Sequence, residues 1–391
     1  MALTSNQIYT IVNEVAKQAM GIKAIAVVDN AGLIALGNTV LGTDATKNNF
    51  VNALTDRIGR TIVSFRAYHS HFPDFERDSI EWGNILQKIK VGMPDAEADQ
   101  SYDLKDGAGV DMYAINKPKA NQLLFTTETP WQTHITIHLD MLEKAFLSAD
   151  AMGSFISAVF GEVQNRIELA LENLSMDCVN NFMGELIKGK AHHPNRVINL
   201  VTEYKDKTGV DHTTTPLNAL DDEEFLKYVV RRINSLSTTL EYMTKGLYNV
   251  SANLDGSESP SYTRHTPKSE QRMMLFIDLV NALKTNINSK AFNMEQVAID
   301  IPFKTVPFWQ SLQTPSVINV KCASGGTGSS ITQSLVMGIL YDREAMGTYK
   351  KKYRTSTTPV NSAGLYYNVY YHMITMYFND LSENAVVFLL A

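Results

Sequence analysis

The sequence predicts a mixed α+β fold organised around one very long helix. Apolar residues recur at intervals of three, four and seven from Phe155 to Leu186, which is the pattern of an amphipathic helix. Segments rich in β-branched and aromatic residues, typical of strands, lie on both sides of this helix. A long polar excursion between Val91 and Asn121 separates two of these strands.

Composition and charge exclude several classes of protein. The chain has 391 residues, 44% of them hydrophobic and 19% charged, as in a soluble protein of roughly two to three domains. Its formal charge of −6 argues against a protein that wraps nucleic acid and against a polybasic membrane binder. Two distant cysteines, Cys178 and Cys322, argue against a disulfide scaffold and favour a reducing compartment. The first residues lack the features of a signal peptide, so we expect an intracellular origin and no membrane span.

The first fifty residues predict little regular structure. Apolar spacing indicates a short helix from Gln7 to Gln18, followed by a strand-like segment at 24–28 and a Gly/Asn/Thr-rich connector that reaches Asn49. Such a segment has too little apolar surface to fold alone, so we expect an unanchored arm that lies along another part of the protein or a neighbour. Residues 60–66 predict a strand.

The polar excursion joins two predicted strands, 85–91 and 121–128, into a ribbon. Between Val91 and Asp111 it carries six acidic residues and one lysine, a net charge of −5. A two-stranded ribbon with so little apolar surface is not stable by itself, so it must lie against another surface.

The long helix contains no proline between Ser154 and Ile187 and would extend about 50 Å. We expect Val163, Ile167, Leu171 and Leu174 to pack on strands at 132–139 and 365–378. The remaining predicted elements are a strand at 197–204, a helix opened by the acidic run 221–224, a strand at 273–279, a helix at 281–289, short strands within 316–340 and a last strand at 384–391.

The candidate catalytic, metal-binding and phosphate-binding residues do not form a recognisable active site in the sequence. His69 with His71, and His134 with His138, are pairs that lack a third metal ligand. The glycine-rich string 324–330 lacks the Lys-Ser/Thr ending of a phosphate loop and is interpreted as a turn. Cys178 lies within the long helix and is interpreted as a small buried group. We therefore predict no catalytic residue, no metal and no cofactor.

Several strings in fixed order resemble those of tailed-phage major capsid proteins with the Hong Kong 97 fold. The sequence is most similar to the phi-29-like podophage head proteins. The matching strings are LTDRIG (54–59), EKAF (143–146), SFISAVF (154–160), KAFNM (290–294), GLYYNVYYH (364–372) and NAVVF (384–388).

The resemblance implies a domain plan and a function. It implies an N-terminal arm (1–50), a peripheral domain with the long helix as its spine (51–65, 129–200 and 362–380), an extended loop (66–128) and an axial domain (201–361 and 381–391). The function would be self-assembly into the icosahedral or prolate shell around a double-stranded DNA phage genome, without enzymatic activity.

The same resemblance implies partners. They are further copies of the chain in hexamers and pentamers, a separate scaffolding protein, a portal, and packaged DNA held by non-specific contact on the inner face. The shell would be a virion component assembled in the bacterial cytoplasm. An immunoglobulin-like C-terminal domain, which some relatives carry, is not expected after Ala391.

Charge predicts where neighbouring subunits meet. The acidic tip of the extended loop contains Asp95, Glu97 and Asp99. The densest basic cluster in the chain, expected as a solvated loop, could receive that tip on a neighbour. The cluster consists of Lys350, Lys351, Lys352 and Arg354.

Two other interpretations remain open at this stage. An encapsulin-like bacterial nanocompartment shares the same fold and would need cargo peptides. A soluble enzyme on an unrelated α+β fold would need catalytic residues that the sequence does not reveal. The phage-like strings favour the virion.

Overall fold

A computed structural model gives the fold of the chain. The residues that it describes are 5–21, 26–61, 76–77, 86–91, 105–106, 109, 113, 115, 120–126, 128–243, 264–286, 299–322 and 330–390.

The described residues form helices and strands in a mixed order, as the predicted α+β class requires. The helices are α1 (Ser5–Met20), α2 (Asn30–Leu41), α3 (Asp44–Thr61), α4 (Leu139–Ala145), α5 (Ala149–Lys188), α6 (Leu200–Thr208), α7 (Glu223–Leu240) and α8 (Ile277–Asn286). The strands are β1 (Glu76–Arg77), β2 (Leu86–Val91), β3 (Ala120–Phe125), β4 (Glu128–His138), β5 (Val197–Asn199), β6 (Gln271–Phe276), β7 (Phe303–Val306), β8 (Ile318–Lys321), β9 (Ser330–Gln333), β10 (Val336–Asp342), β11 (Met346–Thr357), β12 (Tyr366–Asn379) and β13 (Ala385–Leu389). Of the described helices, none combines the length and the apolar character that a bilayer crossing would require.

The chain divides into two compact units. Unit 1 comprises Met1–Gly83, Thr127–Ser175 and Thr348–Tyr377. Unit 2 comprises Asn84–Thr126, Met176–Gly347 and Phe378–Ala391. The long helix α5 contributes residues to both units.

Unit 1 is built on a four-stranded sheet with the order β1-β11-β12-β4. β12 runs antiparallel to β4, with Tyr367 opposite Ile137 and Val369 opposite Ile135. Side chains alternate between the two faces of a strand, so Tyr367, Val369 and Tyr371 all point to the same side, and all three are buried. This side of the sheet is one wall of the core of unit 1.

Helix α5 confirms the predicted long helix. It has 40 residues and therefore extends about 60 Å. Val163, Ile167 and Leu171 are buried in the same apolar cluster as the inward side chains of β12. Leu174, which we expected in this contact, is only partly buried.

The described residues among the first fifty are largely helical and belong to the core of unit 1. The expectation of a loosely organised, unanchored arm is therefore wrong, whereas the expectation that this segment lies along another part of the protein is confirmed. The helix predicted at 7–18 is confirmed as α1, whose Ile8, Val12 and Val15 are buried in the cluster that contains Val163. The connector predicted after residue 28 is instead α2 and the start of α3. Burial of apolar residues outweighs the low helix propensity of Gly, Asn and Thr there.

Close contacts fix these helices against the start of α5. The Asn30 side chain accepts a hydrogen bond from the backbone N–H of Ala149 at 3.1 Å. Gly37 faces Phe146 so closely that a Cβ on Gly37 would lie 2.8 Å from the Phe146 side chain. The Phe146 ring also lies 5.2 Å from that of Phe50. A glycine at position 37 is therefore required for this packing.

The structure differs from the sequence prediction at the boundaries of three other elements. Residues 60–61 end α3 instead of beginning a strand, and the rest of the predicted 60–66 strand lies outside the described residues. The strand predicted at 197–204 stops at Asn199, because the Asn199 side chain caps α6 by accepting from the Thr202 N–H at 3.1 Å. The strand predicted at 273–279 likewise gives way to α8 at Ile277.

Unit 2 contains a five-stranded sheet of order β5-β13-β10-β6-β7 and a separate hairpin, β8-β9. The acidic run opens a helix as predicted, since Asp222 caps α7 by accepting from the Glu224 N–H at 2.9 Å. The last strand, predicted at 384–391, is confirmed as β13, and all five of its residues are buried. The ribbon predicted from the sequence is confirmed in β2 and β3, which pair antiparallel from Leu86–Phe125 to Val91–Ala120.

The role of α5 in unit 1 can be tested with two leucines of the same helix. Leu171 is 9% exposed and Leu169 is 40% exposed. Leu171→Asp places a carboxylate in the apolar core, which costs several kcal/mol, so the variant should be insoluble or fail to assemble. Leu169→Asp is the matched control and should change the free energy of unfolding by no more than about 0.5 kcal/mol. Soluble yield and thermal unfolding measure both, and normal heads from Leu171→Asp would contradict the assignment.

Candidate functional site

The ribbon β2–β3 is held against the rest of unit 2 by ion pairs and by a contact between the Phe125 and Phe378 rings, whose centroids lie 5.4 Å apart. In β2, side-chain alternation places Lys88 and Lys90 on one face and Ile89 and Val91 on the other. Lys90 is only 7% exposed, although lysine is among the residue types that are least often buried without a partner. Both lysines point toward the turn that follows β12, and we call this contact the ribbon root.

The turn at residues 380–384 presents two buried carboxylates to the lysines. The side chains of Asp380 and Glu383 are 1% and 0% exposed. The backbone N–H of Asp380 donates to Ala345 O at 2.7 Å, and that of Glu383 donates to Asp380 O at 3.1 Å. The Asp380 side chain also accepts from the Ser382 N–H at 3.0 Å. These hydrogen bonds hold the turn that carries both carboxylates, independently of the ion pairs.

Each ribbon lysine contacts both carboxylates. Lys88 Nζ lies 2.9 Å from Asp380 Oδ2 and 2.6 Å from Glu383 Oε1. Lys90 Nζ lies 2.9 Å from each of the same two oxygens and also donates to Ser382 Oγ. A buried charge is tolerated only when it is paired, and this crossed arrangement gives each of the four groups two partners of opposite charge.

Two arginines complete the charge balance around Glu383. Arg264 Nε lies 2.8 Å from Glu383 Oε2, and Arg264 Nη2 lies 2.6 Å from Glu344 Oε2. Arg196, buried at 3% exposure, donates to the backbone carbonyls of Leu381 and Glu383. The turn is therefore held by cations from the ribbon and from the body of unit 2.

The pKa directions agree with this geometry. Burial raises the pKa of Asp380, but Lys88 and Lys90 outweigh burial, so the pKa of Asp380 is lowered. Burial lowers the pKa of Lys88, but Asp380 and Glu383 outweigh it, so the pKa of Lys88 is raised. Burial is the dominant effect at Arg196, whose pKa falls to about 10 although Asp380 and Glu383 oppose the change. Asp380, Lys88 and Arg196 are therefore charged near neutral pH, as the ion pairs and hydrogen bonds of the turn require.

The structure places the predicted contact residues in two groups. Asp95, Glu97 and Asp99 lie outside the described residues. The basic cluster is not a solvated loop, because Lys350, Lys351, Lys352 and Arg354 all belong to strand β11 of unit 1. Lys350 is partly buried and Arg354 is exposed. Strand alternation places Lys350 and Arg354 on the same face.

The structure also places one of the two histidine pairs and the end of the glycine-rich string. His134 and His138 lie opposite Tyr370 and Tyr366 across β4 and β12, while His69 and His71 lie outside the described residues. Within the described residues, no three His, Cys, Asp or Glu side chains are arranged to hold a metal. Of the glycine-rich string 324–330, only Ser330 is described, as the first residue of β9, which pairs antiparallel with β8.

Cys178 is a buried structural group, as predicted. Its thiol is 1% exposed and donates to Asn379 Oδ1 at 2.9 Å. Burial raises the pKa of the thiol to about 12, so it is protonated near neutral pH and is not a nucleophile.

The sequence does not predict the ribbon root. The alternation of Lys88 and Lys90 with Ile89 and Val91 is visible in the sequence, but it does not identify the partner of the lysines. The partner acids follow β12 by one and four residues, almost 300 positions further along the chain. A pair of lysines on one face of a strand that lacks apolar support is the signal that could have predicted a buried anionic partner.

Solved structures of similar fold define the class of protein. A chain of the Staphylococcus phage Andhra capsid superposes with a TM-score of 0.57 at 10% identity, covering 84% of this chain and 86% of that one. A chain in a structure of native bacteriophage P68 gives a TM-score of 0.50 at 11% identity, with 83% and 86% covered. The mixed α+β fold is therefore that of tailed-phage capsid proteins.

Sequence comparison gives the family. The model of the Phi29-like phage major capsid protein matches residues 8–389. The major capsid protein of Bacillus phage PZA is 23% identical over 93% of this chain and 68% of its own length. That of Bacillus phage B103 is 24% identical over 97% of this chain and 72% of its own length. The chain belongs to the Phi29-like phage major capsid protein family.

Family membership establishes the function at the level of the particle. The chain is a structural, non-enzymatic component of the virion and forms the head shell of a phi29-like double-stranded DNA phage. This result favours the phage head over the nanocompartment and the enzyme considered above.

Two glutamates that differ in burial test the ribbon root. Glu383→Gln removes the anion that four cationic side chains surround, which should destabilise unit 2 by about 3–5 kcal/mol. Glu344→Gln removes an ion-pair partner whose side chain is 54% exposed, so it should cost about 1 kcal/mol or less. Urea unfolding of the unassembled chain measures both. Equal losses of unfolding free energy from the two substitutions would contradict the buried ion pairs of the ribbon root.

The acid dependence of stability tests Asp380. Its native pKa lies below the unfolded value of about 3.9, so its stabilising contribution is complete well above pH 4 and is lost as pH falls through the native pKa. The unfolding free energy of the wild type should therefore fall between about pH 5 and 3. Asp342 acts in the opposite direction, because burial raises its pKa. The test therefore compares the pH dependence of the unfolding free energy of the wild type with that of Asp380→Asn. The unfolding free energy of Asp380→Asn should fall less steeply between about pH 5 and 3. Parallel pH curves for the two proteins would exclude the contribution of Asp380.

Proposed function

We propose that this chain builds the head shell through the Hong Kong 97 arrangement of subdomains. Apart from residues 1–50 and 66–83, unit 1, with its sheet and most of α5, serves as the peripheral domain. The five-stranded sheet of unit 2 serves as the axial domain, around which copies form hexamers and pentamers by closed symmetry. Residues 66–128 serve as the extended loop and residues 1–50 as the N-terminal arm. The family match and the fold of the phage capsid chains support this proposal.

The ribbon root is the observation that carries the proposal. It holds the base of the extended loop on its own subunit through Lys88 and Lys90, with paired charges that are almost fully buried. A ribbon fixed at its base in this way can present its remaining length to a neighbouring subunit without losing its register.

We propose that the acidic tip of the loop, with Asp95, Glu97 and Asp99, binds the basic cluster of an adjacent subunit. In support, Lys350, Lys351, Lys352 and Arg354 lie in a stretch of the sequence that contains no acidic residue between Glu344 and Asp380. A net charge of −5 on the tip matches this stretch in sign.

The further partners follow from the same plan. A separate scaffolding protein guides assembly, a portal occupies a special position in the shell, and packaged DNA contacts only the inner face without base readout. The overall charge of −6 supports non-specific DNA contact, since strong phosphate binding requires a basic excess. Tight, sequence-specific duplex binding by the isolated chain in moderate salt would overturn this last point.

A charge-reversal experiment tests the contact between tip and cluster. Asp95, Glu97 and Asp99 changed together to Lys should leave the monomer folded but slow shell formation, most clearly at low salt. Each exposed pair contributes only about 0.2–1 kcal/mol, so the effect arises from the many copies in a shell.

The complementary variant changes the four residues of the basic cluster, Lys350, Lys351, Lys352 and Arg354, to Glu. Each reversal alone should lower the shell yield, and the two together in one chain should restore it. Light scattering and electron microscopy of shells measure the outcome. Shells of either single reversal that form and resist heat as the wild type does, at low and high salt, would exclude the contact.

A further inference from the structure

A turn between β7 and β8 projects one leucine into solvent. The turn is closed by the backbone N–H of Trp309, which donates to the Pro315 carbonyl at 2.9 Å. At its tip the Thr314 N–H donates to the Ser311 carbonyl at 3.2 Å. Leu312 lies between these last two residues and is 80% exposed. We call residues 309–315 the leucine turn.

The leucine turn is fixed to the body of unit 2. Trp309 is 1% exposed, and its ring N–H donates to the Val336 carbonyl of β10 at 2.9 Å. The Asn180 side chain of α5 donates to the Trp309 carbonyl at 2.7 Å. The Gln310 side chain bonds to the backbone N–H and carbonyl of Asn319, at 2.7 and 3.0 Å. A side chain on a backbone held in this way loses little conformational freedom when it binds, so Leu312 is suited to be an anchor.

Unit 2 also contains a cleft of suitable size. The cleft has a volume of about 400 Å³ and is lined by residues of β5, α6 and α7. Its three buried lining residues, Val197, Ile198 and Leu236, are all apolar. A cavity of more than about 300 Å³ holds a small ligand, so this one is large enough for a leucine side chain. Because Leu312 is exposed, it does not fill this cleft in its own subunit.

The charges near the leucine turn and the cleft are complementary. Lys321 is exposed and follows Asn319, which bonds to the leucine turn, by two residues in β8. Asp206 is exposed and lines the cleft. Neither has an ion-pair partner in the part of the chain that the structure describes. Opposite charges of this kind favour one mutual orientation of two surfaces.

We propose that Leu312 of one copy inserts into the cleft of the next copy around the ring of a hexamer or pentamer. This inference rests on the proposed function, in which unit 2 surrounds the symmetry axis, and deepens it by naming the two surfaces that meet. The leucine turn and the cleft are different surfaces of the same unit, so the contact is head-to-tail. Head-to-tail contacts are the kind that close into rings.

The size of the contact decides when it forms. One leucine side chain and one ion pair bury much less than the about 800 Å² per partner that a stable isolated interface requires. Two free chains should therefore not dimerise through this contact. It should form only in a closed ring, where each copy is held by a neighbour on both sides.

One test removes the anchor without disturbing the fold. Leu312→Ser changes an exposed side chain, so the unassembled chain should keep its melting temperature. The yield of shells should fall at least tenfold. The matched control is Leu217→Ser, which removes another exposed leucine of unit 2 and should assemble as the wild type does. A wild-type shell yield from Leu312→Ser would overturn the proposal.

A disulfide test identifies the surface that receives the leucine. Thr202 is exposed and lines the cleft, so shells of Thr202→Cys with Leu312→Cys are treated with a mild oxidant and denatured without reductant. We expect a ladder of linked chains that ends at five and six. Each single variant is a control and should give no ladder, since the natural Cys178 and Cys322 are buried.

The outcomes of the disulfide test separate this inference from the proposed function. Well-formed shells of the double variant that give no ladder would overturn the contact and leave the axial position of unit 2 intact. A ladder that continues beyond six chains would overturn the ring itself, and with it both the contact and the axial position.

Discussion

The buried carboxylate of Glu383 is the group on which the attachment of the ribbon depends. It contacts Lys88, Lys90 and Arg264, and the carbonyl of the same residue accepts from Arg196. Removing such a charge from water is costly, and the cost is offset only while all the partners are present. The geometry is therefore specific: a ribbon shifted by one residue would point Ile89 at the carboxylates and leave the lysines outside. The ion pairs set the register of the ribbon together with an aromatic contact on the same face, where the Phe125 and Phe378 rings lie 5.4 Å apart.

Unit 1 is stabilised by a different kind of interaction. Its core joins helices near the N-terminus, the first part of α5 and the inward face of β12 in one apolar cluster. Small residues at contact points, such as Gly37 against Phe146, allow the helices to approach closely. A shell subunit thus combines an apolar body in unit 1 with an ion-paired ribbon in unit 2.

Elements with strong periodicity were predictable from the sequence, as α5 and the tyrosine-rich β12 show. The N-terminal helix α2 was not, because its Gly, Asn and Thr residues have low helix propensity and its stability comes from packing that the sequence does not display. The end of β5 at Asn199 depends on one capping bond, which local propensity does not reveal. The ribbon lysines were visible, but Asp380 and Glu383 are almost 300 residues away, and only the fold brings them together. The basic cluster was predicted as a loop and is a strand, and its contact with a neighbour stays a prediction.

The central claim is that each ribbon is fixed by its root to its own subunit. A cryo-electron microscopy reconstruction of assembled heads, at a resolution that traces side chains, tests it most directly. We expect density joining Lys88 and Lys90 to Asp380 and Glu383 of the same chain. Lysines paired with the carboxylates of a different chain, or lysines that face solvent, would contradict the claim.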